Sequence, residues 1–217
     1  EGVSRYDGYK FEVISEQDGL AHNEITKLFS DAASMYVGTS NGVSIINVDT
    51  HEVASLKGPS DELFRVQDFF QYGEQVYVVT YNSGIYRIEE QHGRPSLVKV
   101  NEHEKIYSIF VDNDSIYSSN KGFFTKTTLS DYLQEERTFP LKKHGFSIIW
   151  DHVQTNDNRI FAAAWGIYDT EGGIYELAND RMISWASEFE VSSKEVVSLA
   201  YDPNFEILYV GTKDSGL

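Results

Sequence analysis

Apolar and polar positions along this chain fall into short runs that repeat. Ser34-Met-Tyr-Val-Gly-Thr-Ser-Asn-Gly-Val43 sets the form. An apolar strand reaches Gly38-Thr39, breaks at a polar turn and restarts at Gly42. Looser copies read Gln75-Val-Tyr-Val-Val-Thr-Tyr-Asn-Ser-Gly-Ile85, Ser115-Ile-Tyr-Ser-Ser-Asn-Lys-Gly-Phe123, Arg159-Ile-Phe-Ala-Ala-Ala-Trp165 and Ile207-Leu-Tyr-Val-Gly-Thr-Lys-Asp-Ser-Gly-Leu217. Tyr36, Tyr77, Tyr117, Phe161 and Tyr209 are the aromatic anchors, recurring at roughly forty-odd residues, the period of a propeller blade.

The pattern predicts strands a to d in each unit. In the first they are 25–29, 34–39, 42–48 and 52–56; in the second 66–70, 75–80, 84–89 and 96–100. Arg94-Pro95 falls at the c–d turn of the second unit, where proline costs no ladder bond. The third unit has 106–111, 115–120, 122–127 and 137–141, with a helical turn as the alternative to a loop over 129–136. The fourth has 147–150, 160–165, 173–177 and 181–185, with an inserted loop at 166–172. Strands at 196–201 and 208–212 open a last, partial unit. At the other end, Asp7-Gly8 between two β-rich runs marks a hairpin, and Glu16-Gln-Asp-Gly-Leu20 reads as a linker. The expected fold is all-β, a β-propeller of four-stranded antiparallel blades, with units near 25–61, 62–101, 102–143, 144–190, and 191–217 completed by 1–20.

Strands a and b are apolar on both faces, as in Val76-Tyr-Val-Val79. A strand with one wet face alternates, so sheets are expected to pack on both sides. The position of Gly38 holds Val79, Ser119, Ala163 and Gly211 in the other units, and the small residues there fit close approach of the next sheet. Strands c and d carry Lys10, Glu12, Arg87 and Glu89, as outer strands should. Strands a and b at one end and c and d at the other could complete a single blade and close a ring of five. The alternative is a segment of a larger ring.

Composition narrows the partners. With no cysteine among 217 residues, neither a disulfide framework nor a cysteine-ligated metal is available. A formal charge of −16 argues against nucleic acid and against docking on an anionic membrane. No apolar run is long enough to span a bilayer. The chain starts without a basic-then-apolar leader and stops inside a repeat, so it reads as a piece of a longer polypeptide.

Gly2-Val-Ser-Arg-Tyr-Asp-Gly8, Asp18-Gly-Leu-Ala-His-Asn-Glu-Ile25, Tyr36-Val-Gly-Thr-Ser-Asn-Gly-Val43 and Leu208-Tyr-Val-Gly-Thr-Lys-Asp-Ser-Gly-Leu217 resemble the two-component regulator propeller repeat. The match weakens between Phe69 and Trp185, where Val79-Thr80, Ser119-Asn120 and Ala163-Ala164 replace Gly-Thr. Tyr36 and Tyr209 stand where that family often has tryptophan. The resemblance implies a periplasmic sensor region that precedes a membrane span and a histidine kinase or another output domain. Several members of the family resemble receptors for glycan fragments.

Candidate chemistry is sparse. Asp31, Asp112, Asp151 and Asp202 follow strand a in successive units, which reads as turn chemistry, Asp bonding its own backbone. The alternative is a carboxylate ring for metal or acid–base work. The six histidines show no metal spacing, and no phosphate loop or nucleophile elbow occurs, so no metal or cofactor is expected. The b–c and d–a connections should share one face. There the candidate ligand-binding residues are Asn41, Tyr81, Asn82, Asn120, Lys121, Trp165, Tyr168, Lys213 and Asp214. Sugar recognition needs flat aromatic faces rimmed by polar groups, which Tyr81, Trp165 and Tyr168 could supply. Trp165 could equally pack between blades, and Trp150 and Trp185 read as core.

Three functions fit. The first is a non-catalytic sensor that binds a glycan or another small polar ligand, with a second copy of the propeller as candidate partner. The second is an interaction scaffold. The third is a five-bladed glycosidase-like enzyme, which needs inner-strand carboxylates about 5–10 Å apart; Asp68 is the only acid expected on an inner strand.

Overall fold

The structure is a computed structural model. It describes residues 1–58, 64–102, 105–112, 115–120, 123–128, 137–140, 146–167, 171–179, 181–185, 188, 191 and 193–216. The chain divides into two compact units, Glu1–Ile106 and Tyr107–Leu217.

In the first unit, β1 (Val3–Tyr6) and β2 (Phe11–Ile14) form a two-stranded hairpin sheet. Strands β3 (Ile25–Ser30), β4 (Ser34–Thr39), β5 (Gly42–Asn47) and β6 (Val53–Leu56) form a four-stranded antiparallel blade, and β7 (Val66–Tyr72), β8 (Gln75–Thr80), β9 (Ile85–Gln91) and β10 (Arg94–Asn101) form another. In the second unit, one blade is β11 (Ser108–Asp112), β12 (Ser115–Asn120), β13 (Phe123–Thr128) and β14 (Arg137–Pro140). The next is β15 (Phe146–Gln154), β16 (Ile160–Ile167), β17 (Gly173–Ala178) and β18 (Arg181–Ser184). A two-stranded sheet of β19 (Val196–Asp202) and β20 (Ile207–Thr212) follows. The fold is therefore an all-β propeller with four four-stranded blades and two smaller sheets.

The continuous apolarity of the b strands has the expected cause. On β4, Tyr36 faces the neighbouring blade and packs in one cluster with Val66, Phe69 and Tyr86. Val37, next in sequence, packs the opposite way with Val3, Leu20 and Ile46, beneath β1 and β2. In the second unit, Ile160 and Ala162 of β16 join Tyr117 and Ile149, while Phe161 and Ala163 join Val196 and Leu199. Each fully buried large side chain contributes about 1.5–3 kcal/mol, so both faces of a b strand stabilise its unit. A Cβ on Gly38 would lie 2.5 Å from Val66 Cγ1, which is the close approach its small size suggested.

Four expectations need correction. Tyr209 is not a buried anchor: it is 43% exposed, whereas Tyr36, Tyr77, Tyr117 and Phe161 are at most 9% exposed. The sheet of β19 and β20 packs on β15 and β16 through Leu199, Leu208 and Val210, and its other face is open. The segment after β2 is no plain linker but a 3-10 helix, Glu16–Asp18, closed by a reciprocal Ser15–Asp18 capping box, with Gly19 left-handed at φ 105°. The c–d turn of the second blade lies at His92-Gly93, with φ of 53° and 74°. Pro95 is therefore inside β10, paired with Glu90, on an outer strand that tolerates it. Finally, β15 runs on to Gln154, so Asp151 and His152 are strand residues. The 129–136 segment lies outside the described residues.

Candidate ligand site

One turn recurs at the end of three b strands. The hydroxyls of Thr39, Thr80 and Thr212 donate to the carbonyls of Gly42, Gly84 and Gly216 at 2.8, 2.7 and 2.8 Å. The following N–H then crosses to the lead-in of strand a: Ser40 to Glu24 at 3.0 Å, Tyr81 to Arg65 and Lys213 to Glu195 at 2.9 Å each. In these three sheets the b–c turn thus meets the lead-in to strand a at one edge, and the threonine is what fastens the turn.

In the first unit this edge holds Asn41, Tyr81 and Asn82. Asn41 is tied down on both sides: its N–H donates to Thr39 Oγ1 at 3.2 Å and its Oδ1 takes a long, weak bond from the Phe64 N–H at 3.5 Å. The Tyr81 carbonyl accepts from the Lys105 N–H at 2.7 Å. Asn82 Oδ1 is buried with no hydrogen-bond partner among the described residues. Nearby, His22 Nδ1 lies 2.7 Å from Ser40 Oγ. Arg65 bridges to Glu24 at 3.0 Å; its hydrogen bond and charge hold that carboxyl below its ordinary range.

In the second unit the same edge holds Trp165, Lys213 and Asp214. Trp165 lies in β16 and its backbone bridges Glu195. Its ring stacks on Trp150, centroids 5.9 Å apart at 29°. The exposed Lys213 ammonium stands 4.3 Å from the Trp165 ring centroid. Trp150 meets Tyr107 edge-on at 5.1 Å, and Trp150 Nε1 is buried without a hydrogen-bond partner among the described residues. Ser193 Oγ donates to Asp214, and that bond lowers the Asp214 carboxyl from its ordinary value. Trp165 therefore both packs between sheet segments and underlies a surface cation. A contact between an exposed cation and an aromatic ring is worth about 0.5–1 kcal/mol, so a flat ligand could displace Lys213. Asn120 ends β12, its backbone paired with Phe123. Its side chain, Lys121 and Tyr168 lie outside the described residues, as do Asp61-Glu62, His103, His144 and Asp112's carboxylate.

Trp150 and Tyr107 carry no site signal in the sequence. Trp150 is the extra residue of a bulge, since the β15–β16 register shifts between Ile149 and Asp151. Bulges at the same rung occur between Ile25 and Lys27, Val66 and Asp68, and Val196 and Ser198. Bulges re-aim side chains, and Thr26, a bulge residue too, also has a buried, unpartnered hydroxyl.

The acids resolve differently from the expectation. Asp31 accepts from the Ala33 and Ser34 N–H groups and the Tyr36 hydroxyl, each at 2.8 Å. Asp202 accepts from Asn204 and Phe205 at 2.8 and 3.2 Å. Those two are turn residues. Asp151 is a correction: inside β15, it accepts from the Leu199 N–H of the next sheet and from the His152 N–H, each at 3.0 Å. Asp68 is thus not the sole inner-strand acid. It is itself buried and meets Lys27 Nζ at 3.0 Å. His152, also on β15, has its Nδ1 3.0 Å from Ser108 Oγ. Trp185 is structural, donating to Glu176 at 2.8 Å under the Arg159 guanidinium. Among the described residues no group of three or more His, Asp or Glu stands where it could hold a metal ion.

No protein-family model matches this chain, and no curated protein does. Among solved structures, the luciferin-regenerating enzyme is similar at 14% identity and a TM-score of 0.57, over 89% of this chain and 72% of that one. Two structures of the extracellular domain of BT4673 from B. thetaiotaomicron are similar at 13% identity. One, titled as a one-component system, has a TM-score of 0.64 over 96% of this chain; the other, titled as a hybrid two-component system, has 0.65 over 88%. This chain spans only 27% and 26% of their length. The fold of this chain is a β-propeller similar to that extracellular domain, at an identity that speaks for fold alone.

Proposed function

We propose that this chain is part of the non-catalytic extracytoplasmic propeller of a bacterial two-component receptor. In this reading, 1–217 is a propeller domain or a segment of one, and its b–c turns take a glycan fragment or another small polar ligand. The observation that carries the reading is the Trp150–Trp165–Lys213 stack beside the unpartnered Trp150 Nε1 donor. An aromatic face, a displaceable cation and a buried donor are what a ring with polar substituents requires. Asn82 Oδ1 offers a comparable unspent acceptor at the corresponding edge of the first unit. The periplasmic setting rests on the repeat resemblance and is supported by the extracellular domains of like fold. A non-catalytic role is supported by the inner-strand acids: Asp68 and Asp151 are both engaged in joining sheets.

A thermal-shift screen against neutral and acidic oligosaccharides tests this. Ligand that binds only the native state raises the Tm. A rise with at least one sugar, lost in Trp165→Ala and reduced in Lys213→Ala, is expected. A glycan panel that leaves the Tm unmoved, or a shift that survives Trp165→Ala, would sink the proposal.

A further inference from the structure

A groove of ≈ 820 Å³ runs between the outer strands of the two blades of the first unit. It opens at the far end of those strands from the b–c turns, along the start of β6 and the turn from β9 to β10. Its apolar lining is the Tyr36 ring with Ile45 and Ile88, which share one cluster. Its rims are acidic. Glu52 stands on one side and Glu89 and Glu90 on the other. Glu89 is bound by Arg87, whereas Glu52 and Glu90 are exposed and have no cation partner among the described residues. The volume lies in the range of ligand-holding clefts, about 300–1,000 Å³.

We propose that this groove docks a short basic peptide segment, an aliphatic side chain on the apolar lining between two cationic residues on the rims. Charge complementarity selects the cation, and complementary charge sets specificity and capture rate. The apolar lining selects the rest. A bare polyamine could satisfy both carboxylates, but its thin methylene spacers leave Tyr36, Ile45 and Ile88 uncovered. A branched aliphatic side chain covers them. The site is separate from the b–c turns, so a peptide here and a small ligand there would not compete for the same surface.

The probe is a fluorescein-labelled pentapeptide of alternating lysine and leucine, titrated into the full chain and read by anisotropy. Saturable binding with a Kd below about 1 mM is expected. Glu52→Gln together with Glu90→Gln should weaken it about fivefold or more while leaving the Tm unchanged. Glu74→Gln with Glu188→Gln, two exposed acids that do not line the groove, changes net charge equally and should leave binding unchanged. Absent binding, equal loss in both double variants, or spermidine binding as tightly as the peptide would each overturn the proposal.

Discussion

The Tyr81 N–H donates to the Arg65 carbonyl at 2.9 Å, joining the end of one strand to the lead-in of its neighbour. Thr80 holds that turn in place. Its hydroxyl, fully buried, donates to the Gly84 carbonyl at 2.7 Å and accepts from the Ser83 N–H at 3.0 Å. Thr80→Val keeps the shape and removes both bonds; the Gly84 carbonyl keeps the Thr80 N–H at 3.0 Å, and the part-buried Ser83 N–H loses its partner. The expected loss is about 1–3 kcal/mol, read as a lower urea midpoint with an unchanged slope. An unshifted midpoint would show that the hydroxyl does not fasten the turn.

Gly38 and Gly211 occupy the same rung of their repeats but face different surroundings. A Cβ on Gly38 meets Val66 and Phe69 of the next blade, at 2.5 and 3.0 Å. A Cβ on Gly211 meets chiefly the Ser198 hydroxyl, on the open face of the end sheet. Gly38→Ala should therefore destabilise by about 1–3 kcal/mol, and Gly211→Ala by clearly less. Equal costs in parallel denaturation curves would contradict blade packing as the reason for the glycine.

Lys27 and Asp68 join the inner strands of adjacent blades at 3.0 Å, with Asp68 only 3% exposed. Removing one partner leaves a buried charge poorly compensated. Lys27→Met should cost about 2 kcal/mol, short of the full penalty because the lysine side chain is partly exposed. Lys27→Met paired with Asp68→Asn should recover part of it, which a double-mutant cycle measures.

Burial first, and the hydrogen bond to Asp31 second, push the Tyr36 phenol up to about 12. Tyr175, mainly through burial, is also pushed up to about 12. An unfolded tyrosine ionises near pH 10, so the native state retains these protons longer. Their contribution is whole below about pH 10 and is lost progressively as pH rises from there to about 12. The urea midpoint should thus fall between about pH 10 and 12, and Tyr36→Phe should fall less steeply than the parent chain. Parallel pH profiles would remove Tyr36 from the account.

Much of the fold was legible because it rests on local chemistry. The b strands at 34–39, 75–80 and 115–120 lie where the apolar runs place them, and Asp31 and Asp202 close their turns as short acids do. Burial of the anchors was not fully legible. Tyr36 and Tyr209 sit in near-identical sequence, yet only Tyr36 has a sheet against its face. The Trp150 bulge was hidden for a related reason: nothing in Ile148-Ile-Trp150 marks a register shift, which shows only where Ile149 pairs with Ala164 and Asp151 with Ala163. Asp151 likewise looked like a turn residue because strand length is set by the sheet beyond it. At the candidate site, Trp165, Lys213 and Asp214 could be named from their place in the repeat, whereas Trp150 and Tyr107 stand beside Trp165 through packing that the sequence does not mark.

Tryptophan fluorescence titrated with an oligosaccharide panel tests the sensor reading most directly. Trp185 is spent on Glu176 and Arg159, away from the Trp150–Trp165 stack. A sugar that binds should change emission in the parent chain and in Trp185→Phe, and the change should vanish in Trp165→Phe. A response that persists without Trp165, or none from any sugar, would contradict the account.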